Sequence, residues 1–155
     1  MLIHELTREE CLEVLGRNTL GRLACVQDAQ PYIVPVSFNL DGADYVYGFA
    51  TFGQKIRWMR ANPLVCLEVE EITDRRHWTT VLAFGLYEEL TDAADHAAAH
   101  RRAQELFAER DRWWEPAIGK TPSREPHAAV VYRIRLHRLT GRSTSSTAPS
   151  SSAAQ

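Results

Sequence analysis

From Leu20 to Leu90 the chain alternates apolar and polar residues in short runs, each bounded by turn-forming residues, which is the pattern of strands joined by tight connections. Leu20 to Val26 reads as one strand, Gln27 to Gln30 as a turn, and Pro31 to Leu40 as a second strand. In that second strand Tyr32, Val34, Val36 and Phe38 share one face, while Ile33, Pro35, Ser37 and Asn39 share the other. Pro35 lacks a backbone donor, so this part of the strand is expected at an edge or an opening of the sheet. Asp41-Gly42 signals a hairpin into the strand Tyr45 to Ala50. Leu64 to Val69 and Trp78 to Leu90 are two further strands, with Gly85 marking a bulge or a close approach in the latter, and Ala128 to Arg138 is the last. Glu70 to Arg76 reads as a charged loop.

Helical spacing interrupts this pattern in three places. Thr7-Arg8-Glu9-Glu10 has the form of a capping box and opens a helix from about Arg8 to Leu15, closed by Gly16. A short helix leaves Thr51-Phe52-Gly53-Gln54-Lys55, runs through Arg60, and stops at Asn62-Pro63, because a residue before proline is pushed out of helical geometry. Thr91-Asp92 is expected to cap an Ala-rich helix to about Arg110. About six closely spaced strands with helices between them predict a mainly β, α+β fold: a small antiparallel β-barrel with helices packed around it.

Length and composition narrow this further. A chain of 155 residues is expected to form one domain over residues 1–142, followed by a Ser/Ala-rich tail over 143–155 with too little apolar surface to fold. The net charge of −2 gives no reason to expect a nucleic-acid or membrane partner. The start MLIHELTREE has neither a basic region nor an apolar run, so a soluble, cytoplasmic protein is expected. Cys11, Cys25 and Cys66 have no metal or redox spacing and read as small buried side chains in a reducing compartment.

Most candidate chemistry collects at the short helix. Thr51, Gln54 and Lys55 put a hydroxyl, an amide and an ammonium at a helix start, where unpaired N–H groups favour a phosphate. This is not a Walker loop, and the alternative is that Thr51 caps the helix while Lys55 is a solvated charge. Trp113-Trp114, before Pro116, either plugs the barrel or stacks on a planar ligand or a second subunit. His96 and His100 have metal-pair spacing but no third ligand, and the Glu68, Glu70, Glu71, Asp74 cluster reads as the solvated end of a strand.

Taken in order, PYIVPVSFNLDG, YVYGFATFGQK, ANPLVCLEVE, WTTVLAFGLYEEL and YRIRLHRLTGR resemble the pyridoxamine 5′-phosphate oxidase-like, FMN-binding split-barrel family, nearest the branch that includes the nitroimidazole-resistance flavoproteins. The resemblance implies a six-stranded split barrel and a homodimer with two FMN sites in grooves between protomers. It implies that Pro35, Val36 and Ser37 run along the flavin ring, and that Phe49, Ala50, Thr51, Gln54 and Lys55 hold ribityl and phosphate. Thr79 and Thr80 are implied near the cofactor, with Trp114 as a stacking candidate. Arg135-Leu136-His137 has the spelling of the vitamin oxidase's substrate-gripping Arg-x-His but lacks its Gly-rich lead-in, so vitamin B6 oxidation is not assigned. The function expected is an FMN-dependent oxidoreductase acting on a small molecule. The rivals are an F420-dependent reductase on the same fold and a non-enzymatic flavin- or haem-binding protein.

Overall fold

A long final strand closes the sheet on itself. The structure, a computed structural model, describes residues 1–109 and 129–145. In chain order the elements are β1 (Leu2–Glu5), α1 (Arg8–Arg17), β2 (Leu20–Gln27), β3 (Gln30–Asp41), β4 (Tyr45–Thr51), α2 (Gln54–Ala61), β5 (Leu64–Asp74), β6 (His77–Leu90), α3 (Ala97–Ala108) and β7 (Ala129–Ser145). The strands follow the order β1-β7-β4-β3-β2-β5-β6, and β7 pairs with β6 as well, so β2 to β7 form an antiparallel ring of six. β1 lies outside the ring, added to the end of β7, with Leu2 opposite Ser145 and Glu5 opposite Arg142.

Alternation along these strands fills the ring. Leu23, Phe38, Val46, Leu67, Val69, Val81 and Ile134 are all buried inside it, as period-two patterning requires. The predicted devices are present. The Thr7 hydroxyl accepts from the Glu10 N–H at 3.2 Å while Glu10 accepts from the Thr7 N–H at 2.7 Å, so both halves of the capping box form. α1 then lays Cys11, Val14 and Leu15 over one end of the barrel. Gly42 has φ +61°, as its hairpin turn requires. At Gly85 the register with β7 shifts, and a Cβ there would sit 2.5 Å from the Arg135 carbonyl oxygen, so the glycine is both bulge and close approach.

Four expectations change. β1 is an unpredicted strand, exposed along its length and therefore without the alternation that marks a half-buried one. β5 continues to Asp74, so residues 70–74 are strand rather than charged loop. Their carboxylates are absorbed by pairing, Arg22 with Glu68 at 3.1 Å and Glu70 at 2.7 Å, and Arg17 with Glu71 at 2.7 Å. Thr91 does not cap α3; its hydroxyl accepts from the Ala93 N–H at 3.3 Å, and the helix starts at Ala97 after a 3-10 turn, Ala94–His96. Ser143, Thr144 and Ser145 belong to β7 instead of the tail, because β1 supplies their ladder partners, while residues 146–155 lie outside the described residues.

Candidate functional site

The ring opens between β3 and β4. These strands pair only from Phe38 opposite Gly48 to Asp41 opposite Tyr45. Beyond that point Gln30 to Ser37 of β3 pair with β2 alone, and Phe49 to Thr51 of β4 pair with β7 alone. This is the split, and Pro35 lies on its open edge, where a missing donor costs least. A Cβ at Gly48 would fall on the Tyr132 ring, so the last pair before the split tolerates only glycine.

α2 occupies the split. Its Ile56 and Met59 enter the core, and Trp58 packs on Tyr32 of β3 with ring centroids 5.4 Å apart. The first turn of α2 faces outward beside the β4 exit. Its N-cap is Gly53, not Thr51, and no side chain bonds to the cap, so the first N–H groups of the helix are left to another acceptor. Thr51 and Gln54 are exposed and Lys55 is half-buried. Burial lowers the Lys55 ammonium below its ordinary pKa, opposed by the neighbouring Cys25 thiol. Among the described residues none of Thr51, Gln54 and Lys55 forms a side-chain hydrogen bond or ion pair. A half-desolvated ammonium without a carboxylate, beside uncapped helix N–H groups and an open strand edge, fits an anionic group attached to a planar one.

Next to this cradle Phe52 is 41% exposed, with the Arg60 guanidinium 5.0 Å from its ring centroid. Arg60 is itself fixed by Glu89, Nε donating to Oε2 at 2.7 Å and an Nη donating to Oε1 at 2.6 Å. The Arg60 guanidinium holds the Glu89 carboxyl below its ordinary pKa, with the Tyr87 hydroxyl adding to the effect.

The other candidate residues divide. Pro35 and Ser37 face outward, whereas Val36 and Ala50 face the core. The Phe49 ring packs edge-on against Phe107 of α3, centroids 5.5 Å apart, and so helps seat that helix. Thr79 and Thr80 are half-buried near the β5–β6 hairpin. α2 meets β6 at Glu89, about ten residues or roughly 33 Å along the strand from Thr79. One chain therefore does not bring the two threonines to Lys55. Pro35 lines a polar cavity of about 320 Å³ with Asn18, Arg22 and Glu70. Thr80 lines a separate one of about 590 Å³ with Glu5 and Arg142. Trp113, Trp114 and Pro116 lie outside the described residues. The His96 ring accepts from the Thr91 N–H at 3.2 Å, and no metal-holding group of three side chains occurs among the described residues. Cys11 and Cys25 are buried and Cys66 is half-buried, all three pushed up in pKa chiefly by desolvation, which suits packing rather than nucleophilic chemistry.

One feature escaped the sequence reading. The outer face of β3, β2, β5 and β6 is apolar over a wide area: Ile33, Ala24, Cys66 and Phe84 lie side by side across the four strands. Ile33 and Leu64 are each about 60% exposed there (61% and 60%), and Leu20 and Ile72, similarly exposed, lie on the same face beyond the Arg22 ion pairs with Glu68 and Glu70. A shallow apolar cavity of about 350 Å³ lies among Ala24, Val26, Pro31, Leu64 and Phe84. The signal was available: these strands carry apolar residues on both alternating faces, one more face than a barrel interior needs.

Comparison with known proteins agrees with this geometry. The family model described as pyridoxamine 5′-phosphate oxidase matches residues 7–143. An uncharacterised protein of Rhizobium meliloti (strain 1021) is 37% identical over 147 residues, covering 92% of this chain and 95% of that one. The crystal structure of an FAD-binding protein from Mesorhizobium loti superposes with a TM-score of 0.78 at 38% identity, covering 94% of this chain and all (100%) of that one. The FAD-binding protein from Mycobacterium smegmatis shares the fold, with a TM-score of 0.65 at 22% identity over 90% of this chain and 98% of its own.

Proposed function

The chain belongs to the pyridoxamine 5′-phosphate oxidase family, and from that premise we propose that it is a flavin-dependent oxidoreductase acting on a small molecule as a homodimer. The observation that carries the reading is Lys55, half-buried and without a carboxylate partner among the described residues, at the uncapped start of α2 beside the open edge of β3. The flavin 5′-phosphate, as in FMN, would lie against Thr51, Gln54 and Lys55, and the flavin ring along the backbone of Pro35, Val36 and Ser37. When bound, a flavin supplies hydride and single-electron transfer.

The chain's own part is to bind, orient and shield. The helix N–H groups and Lys55 would neutralise the phosphate, and the ion would return to Lys55 the stabilisation that burial takes from its ammonium. The edge of β3 offers backbone groups not taken by β4, which suits recognition of a heterocycle rim. A second copy docked on the apolar outer face would bury Ile33 and Leu64 and bring its Thr79 and Thr80 toward a groove that one chain leaves without them.

Oxidation of a vitamin B6 phosphate is not proposed. Arg135 pairs with Glu88 at 3.5 Å, and the bulge after Phe84 separates it from His137, which lines the apolar cavity instead of an anion site. The test is the visible spectrum of the purified protein with mass spectrometry of the released cofactor, followed by anaerobic titration with NAD(P)H. A flavin spectrum that bleaches supports the proposal. A deazaflavin such as F420, a haem, or a flavin that no reductant bleaches would overturn it.

A further inference from the structure

We propose that the cavity walled by β1 is a binding site for a free α-amino acid with a large apolar side chain, its carboxylate on Arg142 and its ammonium on Glu5. The proposal goes beyond the flavin reading and does not rest on it, since the cavity lies on one chain and needs no cofactor. β1 buries none of its four residues, so it adds little to the core. Its effect is to wall a cavity of about 590 Å³, a size that suits a small ligand. Thr80 of β6, Arg142 of β7 and Glu5 of β1 stand in one row across the three strands. Beside that row lie Thr140, Leu82, which is 38% exposed, and Leu6, whose N–H donates to the Gly141 carbonyl at 2.9 Å and fixes the wall.

Opposite charges directly across a ladder ordinarily pair. Two other facing Arg–Glu pairs of this barrel do so, Arg22 with Glu68 at 3.1 Å and Arg133 with Glu88 at 2.6 Å. Glu5 and Arg142 face each other in the same way, yet among the described residues neither forms an ion pair. Glu70, across the ladder from Thr80, does not neutralise Arg142 either, because Arg22 holds it at 2.7 Å. A guanidinium and a carboxylate are thus presented side by side, each open to a third group. A simple anion would leave Glu5 opposing it, and a simple cation would leave Arg142. A molecule carrying both charges on one carbon satisfies the two together, with a charge-assisted hydrogen bond to each. The Thr80 and Thr140 hydroxyls are further donors for its carboxylate, and Leu6 and Leu82 offer apolar surface to its side chain.

The experiment is a set of calorimetric titrations of the purified full chain with L-phenylalanine, 3-phenylpropanoate, which lacks the amine, and 2-phenylethylamine, which lacks the carboxylate. Wild type, Arg142→Gln and Glu5→Gln are compared. Wild type is expected to bind phenylalanine at least about ten-fold more tightly than either analogue, the scale of one charge-assisted hydrogen bond. Arg142→Gln should reduce phenylalanine to the affinity of the amine. Glu5→Gln should reduce it to that of the acid, with the acid itself bound at least as well as before. Equal binding of phenylalanine and 3-phenylpropanoate by wild type would show an anion site only and overturns the proposal. So does a substitution that weakens all three ligands alike, or the absence of saturable phenylalanine binding. Because the readout is a ratio of ligands within each variant, a change in folded fraction cancels from it. None of these titrations depends on the visible spectrum, so the proposal and the flavin reading fail separately.

Discussion

Two stretches of the same ring behave in opposite ways. From β5 through β6 to β7 the ladders run long and unbroken apart from single-residue shifts, β2 joins β5 through Arg22 to Ala24, and every outward carboxylate of β5 from Glu68 to Glu71 has a basic partner. Between β3 and β4 the ladder stops after Phe38 and Gly48, a helix fills the breach, and a hydroxyl, an amide and an ammonium stand without partners among the described residues. The closed side consumes its polar groups in holding itself together. The open side leaves them without partners among the described residues, as the proposed phosphate site requires, and Gly48 marks the boundary. The proposed site arises from where pairing is interrupted rather than from any unusual residue type.

The contrast breaks first on the closed side. Leu67 is fully buried, between β2 and β6, and Leu67→Ala is expected to cost about 3 kcal/mol of unfolding free energy, read from urea melts. A cost under about 1 kcal/mol would mean the closed side is no better packed than the split. The outer apolar face gives the next largest effect. Ile33 is 61% exposed in a single chain, so Ile33→Asp should scarcely change folding but weaken self-association by about 2 kcal/mol in sedimentation equilibrium. A variant that associates as tightly as wild type would place the second copy elsewhere. The smallest effect concerns pH. Because Arg60 holds the Glu89 carboxyl below its ordinary pKa, the pair's contribution is present above the ordinary carboxylate range and is lost as pH falls through the lowered value. The melting-temperature gap between wild type and Glu89→Gln should therefore shrink on going from neutral to strongly acid solution. A constant gap would show that the anchor of Arg60 carries no charge-dependent stability.

Much of the ring was legible in the sequence, since alternation and turn residues mark β2 to β4, the capping box marks α1, and Gly85 marks the bulge. Pro35 told of the open edge for a plain chemical reason, its missing donor. The failures also have physical causes. β1 has no buried face and so no periodicity, and the end of β5 is charged because its partners are charged, not because it is a loop. The types of group at the cradle were readable from Thr51 to Lys55. Period-two patterning shows that a strand has two faces but not which of two apolar faces meets a partner, so the outer surface around Ile33 and Leu64 stayed hidden. The separation of Thr79 from Lys55 depends on strand length and register, which local pattern does not carry.

The proposed phosphate site puts Lys55 on the interrupted side of the ring. Titrating cofactor-stripped wild type and Lys55→Ala with FMN and with riboflavin, which lacks the phosphate, tests it most directly. Wild type is expected to prefer FMN, and Lys55→Ala to lose about 1.5 to 3 kcal/mol of FMN binding, as for a hydrogen bond to a charged group, with riboflavin affinity unchanged. A substitution that weakened both ligands equally, or neither, would contradict it.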